Sequence, residues 1–261
     1  MNTKCLKNDN RDRNRVTFLL FFLLFLVGIV IKVYLWQTTH YLSRDSSFYL
    51  MRIKTWYEKG GTYYFENCMP MYFFPPFIVF LGQLIMHLGI SEIKAMLLLN
   101  IVLGSLISPI VYLIVLEIYH KQKYALCGAL IILFHPMINR LSIEAQRDIG
   151  YLFFSALFFL FLLYAHFRSG NNYFFVAGGS LSCAFLFRVE SLELLLFAVV
   201  LICIARRNFI RNIRNVLYLA LSFCLFTSLA FFVMGMRSKD ISIMFDCLFR
   251  ETYGSAVNAM I

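Results

Sequence analysis

Eight apolar runs divide the chain, at 17–36, 73–88, 95–118, 124–138, 149–167, 173–187, 191–205 and 216–236. The first is long enough to cross a bilayer as a helix. Several of the others hold only about 15 residues against the ~20 a perpendicular span needs, so they require local thinning or extension through polar flanks. A polar segment carrying Lys4, Lys7, Arg11, Arg13 and Arg15 precedes the first run, and no small-residue cleavage site follows Trp36. That pattern predicts an uncleaved anchor with its N-terminus inside.

The connections decide the threading. Basic residues gather at Lys121 and Lys123, at Arg168, and from Arg206 to Arg214. If all eight runs cross, two of these clusters fall outside, against the preference of cytoplasmic loops for Lys and Arg. If 73–88 instead lies in the outer interface, every basic loop moves inside and seven spans remain. That run opens with Phe74-Pro75-Pro76 and carries Gln83 and His87, which suits an interfacial helix. The expected architecture is all-α: a polytopic bundle of about seven spans with juxtamembrane amphipathic helices in its first outer loop. The expected division is a cytoplasmic tail (1–16), a transmembrane module (17–236) with that loop at 37–94, and an extracytoplasmic tail (237–261). Within the loop, Tyr49, Ile53, Trp56 and Tyr57 recur at helical spacing, with Arg52, Glu58 and Lys59 elsewhere. This predicts a short helix starting at Asp45, stopping at Gly60-Gly61 and lying on the membrane with Trp56 and Tyr57 at headgroup depth.

Composition agrees with that frame. The chain is 61% hydrophobic and 18% aromatic, more apolar surface than a soluble core of 261 residues hides. The formal charge of +10 then reflects cytoplasmic loops held against anionic headgroups, and nucleic acid is not an expected partner. Seven cysteines at irregular spacing read as small buried hydrophobes. Zinc-ligand spacings, a Gly-rich phosphate loop and a Gly-x-Ser-x-Gly elbow are all missing.

The candidate chemistry lies at the lips of the runs. Asp45, Asp148, Glu190 and Glu193 stand there, and Arg44, Arg147 and Arg188 lie within two residues of the first three. Charge at a bilayer boundary costs free energy unless it is paired, hydrated or employed. In the seven-span threading all of these residues share the outer side. Asp45 and Asp148 also suit helix N-caps, and Arg140, Glu144, Arg147 and Asp148 suit a surface ion-pair ladder. Arg188 and Glu190 fit either an internal ion pair or an anion site in which Arg188 holds a phosphate and Glu190 orients it.

In this order, these features resemble the GT-C superfamily of membrane glycosyltransferases, and within it the protein O-mannosyltransferase and aminoarabinose-transferase-like group (glycosyltransferase family 39-like). The matching elements are Arg44-Asp45-Ser-Ser-Phe-Tyr, Phe74-Pro75-Pro76-Phe77, Cys127-Gly128-Ala-Leu through Pro136 to Arg147-Asp148, and Phe187-Arg188-Val-Glu190-Ser191. Val189 and Ser191 replace the Pro and Gly usual in that last element, and Ser-Ser replaces a small residue plus acid after Asp45. Family members continue well beyond seven helices, so the resemblance covers the catalytic module alone, as a fragment, a degenerate copy or a minimal form. It implies sugar transfer from a polyprenyl-phosphate donor to a protein or glycan hydroxyl at the extracytoplasmic face of a plasma or inner membrane. Asp45 would be the base, Arg188 the phosphate ligand with Arg147 or Arg52 as alternates, and Asp148 the group orienting the acceptor or a divalent ion. Some relatives use a metal and others do not. The contrasting expectation is a non-enzymatic membrane protein, a transporter half or scaffold, locked by the Arg188/Glu190 pair.

Overall fold

A computed structural model of the chain describes residues 3–39, 43–65, 76–168, 171–205, 209–237 and 240–241. Ten α-helices occupy nearly all of them, and no strand occurs among the described residues. They are α1 (Thr3–Thr39), α2 (Arg44–Tyr63), α3 (Pro76–Met86), α4 (Glu92–Tyr119), α5 (Gln122–Leu133), α6 (Pro136–Ile143), α7 (Asp148–Arg168), α8 (Asn171–Phe187), α9 (Leu192–Ala205) and α10 (Phe209–Val233). A single 3-10 turn, Val189–Ser191, links α8 to α9. The 237–261 tail lies almost entirely outside the described residues.

Four of these helices are long and apolar enough to cross a membrane, and a fifth span results if α5 and α6 count as one, bent by 53°. The bend has a local cause. Pro136 opens α6, and the residue before a proline is pushed out of helical geometry, as His135 is at ψ 119°. Helices α8 and α9, with 17 and 14 residues, are shorter than a perpendicular span. The 11 residues of α3 rise only about 16 Å.

The amphipathic helix of the first loop forms, with three differences from expectation. Its cap is Ser43, whose hydroxyl accepts from the Ser46 amide, so Asp45 stands inside the first turn and is not the cap. Its regular part does break at Gly60, where φ of +83° is open only to a residue without a Cβ. Beyond that break Tyr64 and Phe65 fold back onto Trp56, with ring centroids 4.8 and 5.0 Å away, and Phe80 of α3 closes the cluster at 5.8 Å. Trp56 is therefore buried in protein, while Tyr57 stays exposed against His87. Arg52, expected on the polar face, is buried. Tyr49, Ile53 and Trp56 of the expected apolar face are buried, and α2 packs against α3 and α4.

α4 is the hub: α1, α5 and α6 pack along it, as do α2, α3 and α7. Two contacts fix the sense of α4 against α7. At one end Arg168 grips Glu117 with both arms, at 3.1 and 2.6 Å, and lies over the Tyr164 ring. At the other, Asn100 of α4 bonds the loop that leads into α7. The two helices run parallel, so Lys121, Lys123 and Arg168 share one end of the bundle and Asp148 begins at the opposite one. The described cysteines depart from expectation: Cys127, Cys203 and Cys224 are exposed on the bundle surface and only Cys183 is half-buried.

Gly150, near the start of α7, sets a close approach that matters for the site. A Cβ there would run into the ring of Phe187, which is fully buried and held by Phe77 and Phe154 at 5.4 and 5.6 Å. The ring has no room to retreat, so Gly150→Val should destabilise the protein by about 1–3 kcal/mol through overpacking. It should also push apart the ends of α7 and α8. Thermal unfolding of the detergent-solubilised protein reads the first effect.

Candidate active site

Phe187 packs against Gly150, and the residue after it is Arg188, in extended geometry at the end of α8. That contact delivers the guanidinium to the first turn of α7, where Arg188 Nη1 donates to Asp148 Oδ1 at 2.6 Å. Its Nη2 donates to Glu190 Oε1 at 3.1 Å, and the ring of Tyr151 lies 5.7 Å from the guanidinium carbon. Sequence reading paired Arg188 with Glu190 alone. The pairing with Asp148, forty residues away, has no local signal.

Tyr49 joins α2 to this cluster. It lies one turn beyond Asp45 and is buried, and its hydroxyl feels the charges of Arg147, Asp148, Asp45 and Arg188. Burial pushes the phenol well above its ordinary range, so it stays protonated and able to donate. Sequence reading placed Tyr49 on the membrane face. Only its spacing of four from Asp45 hinted that it shares that residue's side of the helix.

The remaining candidates distribute unevenly. Asp45 is exposed at the start of α2, and Arg147 is half-buried and close enough to act on both Tyr49 and Glu190. The Arg44 side chain lies outside the described residues. Glu193 is exposed in the first turn of α9. The expected ladder shortens to one rung, Arg140 to Glu144 at 2.7 Å, because α6 ends at Ile143 and 144–147 is irregular. Asp148 opens α7 and spends its carboxylate on Arg188.

The electrostatics follow from this geometry. Partial burial works against the Arg188 charge, but bonds to Glu190 and Asp148 outweigh it and hold the guanidinium protonated. Partial burial likewise opposes ionised Glu190, yet the Arg188 bond prevails and its pKa falls below the usual value. A carboxylate depressed in the folded state stabilises at neutral pH, and that contribution is lost only as pH falls through its lowered pKa. Glu190→Gln should therefore lower the melting temperature near pH 7 and converge with the parent once pH has fallen below that lowered pKa. A series of melting curves across that range checks it.

No group of three His, Cys, Asp or Glu side chains among the described residues is placed to hold a metal. Asp148 faces the Arg188 guanidinium in place of a cation site, so the described residues do not fit a bound divalent ion.

The described residues thus form an all-helical bundle with helices long and apolar enough to span a membrane and an acid–arginine cluster at one end. The family model described as dolichyl-phosphate-mannose-protein mannosyltransferase matches residues 74–234, more than half of the sequence, and the chain belongs to that family of membrane glycosyltransferases. Arg147, Asp148, Arg188 and Glu190 lie within the match, and Asp45 precedes it. Neither the curated proteins nor the solved structures yield a match.

Proposed function

We propose that this chain transfers a sugar from a polyprenyl-phosphate donor to an acceptor hydroxyl at the extracytoplasmic face, as the catalytic module of a GT-C-type enzyme. The observation that carries the reading is convergence: α2 with Asp45, the Asp148–Arg188 pair and Arg147 meet around Tyr49, at the end opposite Lys121 and Arg168. The family match supplies the reaction class.

The chemistry is a single displacement. Asp45 takes the proton of the acceptor hydroxyl as its oxygen bonds the anomeric carbon, while the bond from that carbon to the phosphate oxygen breaks. The electron pair leaves on the polyprenyl phosphate, and configuration inverts. Arg188 and Arg147 stabilise the departing anion. Because Arg188 already holds two carboxylates, an arriving phosphate takes the place of one of them, so ground-state pairing preserves the cation and substrate releases it. Asp148, freed in that exchange, orients the acceptor.

Two tests apply. Purified protein in liposomes should consume labelled polyprenyl-phosphate mannose and ignore a nucleotide-linked mannose; the opposite preference sinks the reading. For the side, thiol labelling at engineered cysteines should place positions 121, 168 and 211 in the cytoplasm and 45, 147 and 253 outside. Labelling of 45 and 121 from the same side would contradict both the threading and the outer site.

A further inference from the structure

Asp45 and Asp148 lie on separate elements, and a hydrogen-bonded chain that touches neither carboxylate connects them. Asn100 is fully buried in α4, and its Oδ1 has no hydrogen-bond partner among the described residues, so its Nδ2 carries the hydrogen bonding of the amide. Its Nδ2 donates to Glu144 O at 2.6 Å and Gln146 O at 2.9 Å, spending both hydrogens on the irregular 144–147 loop. The side chain of Gln146 then reaches across to α2, and its Nε2 donates to Ser43 Oγ at 2.6 Å.

Ser43 Oγ also accepts from the Ser46 amide at 3.2 Å and lies 2.8 Å from Ser46 Oγ. With two bonds accepted its lone pairs are used, so its own hydrogen goes to Ser46 Oγ. The hydroxyl is saturated and its direction fixed. Ser43 precedes Asp45 by two residues, and Gln146 precedes Asp148 by two. One side-chain bond thus ties the start of the helix bearing one carboxylate to the start of the helix bearing the other.

We propose that Gln146 is a positioning residue: anchored by Asn100 and bonded to Ser43, it fixes the placement of α2, and hence of Asp45, relative to Asp148 and Arg188. The inference rests on the sugar-transfer reading for its consequence but not for its geometry. α2 keeps its own cap without Gln146, because the Ser43–Ser46 bond lies within the helix. Loss of Gln146 therefore loosens docking and leaves the helix intact.

The experiment uses the full chain in liposomes with its seven cysteines replaced. Spin labels go at Met51 on α2 and Phe167 at the far end of α7, both about half exposed. Gln146→Leu should shift or broaden the distance between them. Turnover of polyprenyl-phosphate mannose should fall by roughly ten- to a hundredfold, as misplacement by about 1 Å does, with little change in KM. Ser43→Ala combined with Gln146→Leu should be no worse in turnover than the poorer single variant, since both break one link. Gln146→Glu, which can accept from the Ser43 hydroxyl once Ser46 Oγ becomes the donor of their shared bond, should restore the parental distance and covers the case in which the leucine variant folds poorly. An unchanged distance in Gln146→Leu, a shifted distance with unchanged turnover, or failure of Gln146→Glu to restore the distance each overturns the proposal. If the parent itself consumes no donor, the sugar-transfer reading fails while the distance arm still decides the positioning role.

Discussion

Asp45→Asn is expected to lose at least about a hundredfold in sugar transfer, the lower end for removal of a general base. Folding should remain close to that of the parent. The reason lies in the cap: Ser43, not Asp45, satisfies the helix start, so the substitution removes no backbone hydrogen bond. What it removes besides the base is a favourable charge near the helix N-terminus, worth about 0.3–1 kcal/mol at an exposed position. Asparagine has the same shape and cannot take the proton. Turnover of polyprenyl-phosphate mannose, set beside a melting curve of the same preparation, separates the two effects. Full activity in Asp45→Asn would return the residue to a purely electrostatic place in the first turn.

Arg188 carries the second large effect. Arg188→Lys keeps the charge but replaces a planar fork with a point donor that cannot serve Asp148 and Glu190 as the guanidinium does. Transfer should fall by at least about tenfold, with donor use weakened, because the bidentate hold on phosphate is lost. Stability should change little. The competing account makes Arg188 only a lock between α7 and the α8–α9 hinge. On that account Arg188→Met strands Asp148 and costs about 1–2 kcal/mol, between the ranges for exposed and buried pairs, since both side chains are about a third exposed. The double variant Arg188→Met/Asp148→Leu would then recover stability, because an ion pair is often replaceable by apolar residues. If that double variant also bound polyprenyl-phosphate mannose as well as the parent, Arg188 would have no role as a phosphate ligand.

How much of this was legible in the sequence depends on the distance over which each cause acts. The helices were legible because each apolar run is its own signal, and the break at Gly60 was legible because a glycine pair ends a helix locally. The cap was misplaced by two residues: Ser43 and Asp45 are both good caps by residue type, and Ser43 takes the role through its own bond to the Ser46 amide. Arg52 and Trp56 were assigned to polar and headgroup surroundings because amphipathic spacing names a face but not its partner, and the partner here is α3 with the folded-back Tyr64 and Phe65. The grouping of Asp45, Asp148 and Arg188 was approached by threading, which put them on one side. Their union through Tyr49 and the 2.6 Å ion pair is tertiary, and depends on Gly150 admitting Phe187. Span number is the least legible feature, since α8 and α9 are too short to be counted by length alone.

The central claim is that donor lipid phosphate arrives where Asp45, Asp148 and Arg188 meet, and photo-crosslinking tests it most directly. A polyprenyl phosphate carrying a diazirine on the isoprene unit next to the phosphate is incorporated into liposomes with the purified chain, and labelled peptides are mapped after irradiation. Label on the first turns of α2 and α7 and on the Arg188–Ser191 hinge, reduced by Arg188→Lys, is the predicted result. Label confined to the opposite end, around Lys121 and Arg168, would contradict the account.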